Sequence, residues 1–71
     1  MDINRILNFA SNAGKIMLQS GGETYRVEET ITRICQSFSV DDVDVFASPT
    51  AVMVSIIMDG KIYSVVKRIS S

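Results

Sequence analysis

Histidine and tryptophan are absent from this chain of 71 residues, and cysteine and proline occur once each. Without histidine, the chain lacks the most common metal ligand and the most common general base of proteins. With Cys35 as the only cysteine, neither an internal disulfide nor a thiolate metal set can form. These absences argue against an enzyme, and we expect no cofactor, no metal site and a reducing, cytoplasmic setting.

Long hydrophobic runs and an excess of positive charge are missing as well. The longest uncharged stretch, Val45 to Met58, is interrupted by Pro49 and is shorter than the roughly 20 apolar residues of a membrane-spanning helix. The N-terminus has no basic segment, so we expect no signal peptide. Seven basic and eight acidic residues give a net charge of −1, which argues against a nucleic-acid partner because such partners require a basic surface.

Apolar residues make up 46% of the chain, a large share for so short a sequence. A chain of this length folds as one small domain and buries only about 60% of its unfolded surface. We therefore predict a single domain over residues 1–71, with apolar surface left for something outside these residues to cover.

The first half of the chain has the apolar spacing of two helices. Asp2 is a suitable N-cap for the first helix, which should end at the glycine pair after Ser20 because glycine readily adopts the left-handed conformation. Gly14 lies on the apolar stripe of this helix and predicts close approach of a second helix. The second helix should fade at Ser39-Val40. Its predicted apolar face consists of Val27, Ile31, Ile34, Cys35 and Phe38.

From Val43 onward the pattern changes to the alternation typical of β-strands. It predicts strands over Val43 to Ala47, Ala51 to Met58 and Lys61 to Ile69. Asp59-Gly60 favours a type I′ hairpin turn between the last two. The predicted fold class is α+β, a helical hairpin packed on a three-stranded antiparallel sheet in the order α-α-β-β-β, with the middle strand at the centre.

The middle strand, Ala51 to Met58, is apolar on both faces, as in strands that are covered on both sides. Two helices can cover only one face of a three-stranded sheet. We therefore expect either a partner chain or a missing C-terminal continuation on the other face.

The segment Ser20 to Thr30, SGGETYRVEET, is the densest cluster of functional side chains. A glycine loop that opens a helix can offer free N–H groups to a carboxylate or phosphate. A Walker loop would also need a terminal lysine and hydroxyl, and a dinucleotide loop would need a preceding strand; this segment has neither. A helix corner is the simpler interpretation of the glycines.

The charges of the same segment fit a solvated helix surface. Glu29 and Arg33 have the i, i+4 spacing of a helical ion pair, and Arg26 can reach Glu29 at i+3. This predicted ladder leaves Glu23 and Glu28 unexplained, together with the neighbouring tyrosine. Cys35 lies on the apolar stripe, a position that is typical of a structural thiol. We predict no catalytic residue.

Three segments together resemble one known family. They are GKIMLQSGGETYRVEETITRI, VDVFASPTAVMVSI and DGKIYSVVKRI, and they are similar to the N-terminal soluble domain of the threonine/serine exporter family. The similarity covers nearly the whole chain. It is carried by Gly21, Glu23, Tyr25, Arg26, Glu28 and Thr30, and by Phe46, Pro49 and Thr50.

The resemblance implies a cytoplasmic domain, at the inner face of the cell membrane, of a multi-spanning exporter of threonine and serine or, in some relatives, of dicarboxylates. No transmembrane segment is present in these residues, so we expect an excised N-terminal piece that is soluble alone. Its expected partners are the missing transmembrane portion and further copies of itself. The predicted role is non-catalytic, in regulation or assembly.

The alternative is a small hydrolase-like or ligand-sensing domain with a polar pocket around Glu23, Glu28 and Thr50. Its ligand would be a small amino acid or a dicarboxylate. The candidate ligand-binding residues are Gly21, Glu23, Tyr25, Arg26, Glu28 and Thr50.

Overall fold

The computed structural model describes residues 2–70 and confirms the predicted α+β fold and element order. Two helices precede three strands, and the strands form one antiparallel sheet in the order β1-β2-β3. The central position of β2 is therefore as predicted. The elements are α1 (Ile3–Gln19), α2 (Thr24–Gln36), β1 (Asp42–Ser48), β2 (Ala51–Met58) and β3 (Lys61–Arg68).

Local hydrogen bonds determine both ends of α1. The Asp2 carboxylate accepts a bond of 2.9 Å from a backbone N–H of the first turn, which confirms the predicted N-cap. At the other end, the Gly21 N–H donates to the Leu18 carbonyl and the Gly22 N–H donates to the Met17 carbonyl. This pair of bonds is a Schellman motif, and Gly21 supplies the left-handed residue that it needs, with φ of +85°.

Gly14 lies where α1 packs against α2, as predicted. A Cβ atom added at Gly14 would lie 2.5 Å from Cδ1 of Ile31 and 3.3 Å from Cγ1 of Val27. The two helices therefore approach within a distance that leaves no room for a side chain. Ser11, which the apolar spacing did not place in the core, is also fully buried, and its hydroxyl donates to the Asn8 carbonyl.

The end of α2 differs from the prediction. The helix ends at Gln36 with Ser37 as its C-cap, and Ser39 then adopts a left-handed conformation with φ of +60°. Phe38 lies beyond the helix and is exposed. Its predicted place on the apolar face of α2 is therefore wrong, because helical spacing no longer applies once the helix has ended.

The hairpin between β2 and β3 has the predicted turn. Asp59 and Gly60 both have positive φ, of 52° and 76°, as a type I′ turn requires. The strand limits differ slightly from those expected, since β1 begins at Asp42 and β3 ends at Arg68, in each case one residue earlier than the alternation indicates.

Within residues 2–70, the helices cover only one face of the sheet. α1 packs on β2 and β3, and α2 packs on β1. On β2, Val52, Val54 and Ile56 point to the helices and are fully buried, whereas Met53 points away from them and is exposed. We call the face turned away from the helices the outer face. The buried core consists of Ile6, Leu7, Ala10, Val27, Ile31, Cys35, Ala47, Val52, Val54 and Ile56.

Candidate functional site

Glu28 joins α2 to the edge of the sheet. Its carboxylate Oε2 accepts a hydrogen bond of 2.9 Å from the backbone N–H of Ala47, near the end of β1. Because β1 is an edge strand, its outward N–H groups have no strand partner and need another acceptor. Glu28 supplies that acceptor, and the bond connects two residues that are 19 positions apart in the sequence.

Gly21 and Glu23 lie at the corner between the helices. Glu23 is the N-cap residue of α2, with an extended backbone (φ −74°, ψ 139°), and its side chain makes no capping hydrogen bond. Its carbonyl accepts bonds from the N–H groups of Arg26 and Val27. Both Gly21 and Glu23 are exposed, so they form a solvent-facing turn.

Tyr25 and Arg26 pair with each other on the exposed surface of α2. The Arg26 guanidinium lies 6.0 Å from the centroid of the Tyr25 ring, at the outer limit of a cation–π contact. The predicted ladder is only half formed: Arg33 and Glu29 make an exposed ion pair of 3.6 Å. Among residues 2–70, no pair between Arg26 and Glu29 accompanies it, and an exposed pair of this kind adds little stability.

Thr50 lies in the turn between β1 and β2. Its hydroxyl lies 3.3 Å from the Ser48 hydroxyl, and its carbonyl accepts a bond of 2.8 Å from the N–H of Ile69. A shallow, open concavity adjoins this turn at the end of the sheet. Its lining residues are Thr50, Ala51, Val66, Arg68, Ile69 and Ser70.

The candidate residues thus lie in three separate environments. Glu28 binds the backbone of β1, Glu23 lies at the helix corner, and Thr50 adjoins a concavity that neither of them lines. A second concavity, at the start of α1, is lined by none of the candidate ligand-binding residues. The structure therefore brings Glu28 close to the end of β1 but does not gather the predicted set around one pocket.

Cys35 and the acidic side chains are the remaining groups with chemistry of their own. Cys35 is buried in the core, and this burial raises the pKa of its thiol, so the thiol stays protonated at neutral pH. Within the described part of the chain, no three metal-binding side chains come close enough to hold an ion.

The outer face is the most apolar exposed surface of the sheet. Five large apolar side chains on it are between 37% and 71% exposed. The strand register arranges them in two rows across the sheet, separated by a polar row in which the hydroxyls of Ser55 and Ser64 lie 2.7 Å apart. Large apolar side chains exposed together on one face in this way indicate an interaction site. The five side chains are Phe46, Met53, Ile57, Ile62 and Val66.

The fold and this surface define a small α+β domain with an uncovered apolar sheet face. A comparison with known families gives its relationship: residues 8–71 match the family ThrE, described as "putative threonine/serine exporter". The chain belongs to this family of exporters, which links it to transport across membranes, as the sequence resemblance predicts. A search of curated proteins and a search of solved structures found no match.

None of the helices within residues 2–70 combines the length and the apolar character required to cross a membrane.

Proposed function

We propose that this chain is a non-catalytic cytoplasmic domain of a threonine/serine exporter, with a role in assembly or regulation of the transporter. The observation that carries the proposal is the outer face, an exposed apolar sheet surface on a member of an exporter family. Such a surface costs free energy while it faces water. A contact that covers it is therefore favourable and can hold an assembly together.

The chemistry of the side chains supports a binding role over a catalytic one. The Glu28 carboxylate is engaged with the Ala47 N–H, and the Cys35 thiol is buried and protonated. Nucleophilic catalysis needs an activated nucleophile beside a base. The sequence has no histidine to act as that base, so contact surfaces are what this domain offers.

Threonine efflux provides the test. An exporter that carries this domain would be compared with a version from which the domain is deleted and with a Phe46→Ser variant, using cells loaded with labelled threonine. We expect both changes to lower efflux and to reduce the amount of assembled exporter, because each removes apolar contact area at the outer face.

Phe9→Ser is the matched control, because Phe9 on α1 is 61% exposed and Phe46 is 56% exposed. The same apolar-to-polar change away from the outer face should leave efflux and assembly unchanged. If deletion of the whole domain alters neither efflux nor assembly, the proposed role is wrong.

Ligand binding by Glu23, Glu28 and Thr50 remains a prediction, and calorimetric titration separates it from the assembly role. Because Glu28 already binds the backbone of β1, we expect no heat from threonine, serine or succinate at millimolar concentrations. Binding heat that disappears in a Thr50→Val variant would instead support the ligand-sensing alternative.

A further inference from the structure

The outer face has opposite charges on its two edge strands. Asp44 lies on β1, in the polar row of the sheet, whereas Arg68 ends β3 and is opposite Ala51 in the register. Both side chains are exposed. β1 and β3 are the two edge strands, so the acidic and the basic side chain lie diagonally across the apolar surface.

Within residues 2–70, neither Asp44 nor Arg68 has an ionic partner. The ion pair found there joins Glu29 and Arg33. Asp42, the acidic residue at the start of the same strand, accepts a hydrogen bond from the adjacent Val43 N–H. Asp44 makes no comparable bond to the described residues and is free to meet a positive charge from outside the domain.

We propose that the outer face binds the outer face of a second copy of this chain around a two-fold axis, with Asp44 of each copy paired to Arg68 of the other. This inference rests on the proposed assembly role and names its partner. A two-fold interface requires a surface that is complementary to itself. The apolar row of Phe46, Met53 and Val66, with an acid beyond it on one edge strand and a base beyond it on the other, meets that requirement.

The register indicates the direction of the axis. An axis between the two sheets at about 50° to the strands exchanges Asp44 with Arg68, and it makes the strands of the two sheets cross nearly at right angles, a known mode of sheet packing. Met53 lies on the strand between these two charges and one row from each of them, so this axis passes over Met53. Met53 therefore meets Met53 of the second copy.

The small size of the face determines the strength of this association. Three strands offer less area than a standard protein interface, so we expect a weak dimer that dissociates in the micromolar range or above. Attachment to a shared assembly would raise the effective concentration of the two copies and favour the contact there.

Charge exchange tests the proposal directly. Sedimentation equilibrium of the full chain over a wide concentration range should show a dimer, and Asp44→Arg and Arg68→Asp should each weaken it by about tenfold or more, because both create two like-charge contacts. In an equal mixture of the two variants, every contact of the mixed dimer joins unlike charges. The mixture should therefore regain the wild-type affinity, as should the double variant D44R/R68D.

Arg5→Glu on α1, an exposed charge reversal away from the outer face, should not change the dimer. Circular dichroism identifies any variant that fails to fold. If a single variant does not fold, the dimer affinity of the double variant D44R/R68D is compared with that of the wild-type chain instead. A wild-type chain that stays monomeric at the highest concentration overturns the proposal, as does a mixture of the single variants that remains monomeric. If Phe46→Ser loses efflux while the wild-type chain is monomeric in sedimentation, the proposed assembly role stands. The proposal that a second copy is the partner is then wrong.

Discussion

Replacement of Ile31 by alanine should lower the free energy of unfolding by about 2–5 kcal/mol, the usual cost of deleting a large buried aliphatic side chain. Ile31 is fully buried, and its Cδ1 atom fills the space above Gly14. The small domain has a total stability on the order of 4–10 kcal/mol, so the loss is a large part of the whole. Urea denaturation followed by circular dichroism measures it.

Two controls show that the loss reflects packing between the helices. Ile16→Ala removes the same atoms from a site that is 62% exposed and should cost no more than about 0.5 kcal/mol. Gly14→Ala adds a methyl group where Ile31 Cδ1 lies, and Ile31→Val removes that atom. Combined, they should be less destabilising than the sum of the two single changes. Equal losses in Ile16→Ala and Ile31→Ala would contradict the assigned core.

Replacement of Glu28 by alanine should lower the free energy of unfolding by about 1–3 kcal/mol, because it leaves the partly buried Ala47 N–H without its acceptor. Hydrogen exchange measured by NMR gives a local readout, and we expect the Ala47 amide to exchange faster in this variant. Glu28→Gln retains a carbonyl acceptor and should recover part of the loss.

Glu29→Ala is the matched control for Glu28→Ala. Glu29 is adjacent in the sequence but forms an exposed ion pair with Arg33, so its loss should cost about 0.2–0.5 kcal/mol. Unchanged exchange of the Ala47 amide in Glu28→Ala would show that the Glu28 contact does not protect the sheet edge in solution.

Several parts of the fold are determined by short stretches of sequence. Asp2, Gly21 and the Asp59-Gly60 pair act within a few residues, through capping bonds and positive φ values. The helix start, the helix corner and the hairpin turn are predicted on that basis, whereas the element order follows from the change of apolar spacing along the chain. Gly14 was also predicted correctly, since a glycine on an apolar stripe indicates a close neighbour.

The candidate site was less predictable because its contacts are not local. The i, i+3 and i, i+4 spacings offered Glu29 two partners, Arg26 and Arg33. The structure pairs Glu29 with Arg33 and places Arg26 over Tyr25. Phe38 has helical spacing but lies past the end of α2. In both cases, spacing alone does not specify which neighbouring group lies closer or where the helical backbone stops.

Residue types and their spacing along the chain are enough to predict the class of fold, the positions of the turns and the family relationship. Only the packing of the elements brings the Glu28 carboxylate to the Ala47 N–H and places Asp44 and Arg68 on the two edge strands of one apolar face. The physical reason is that these arrangements depend on strand order and register, which bring together side chains that are far apart in the sequence.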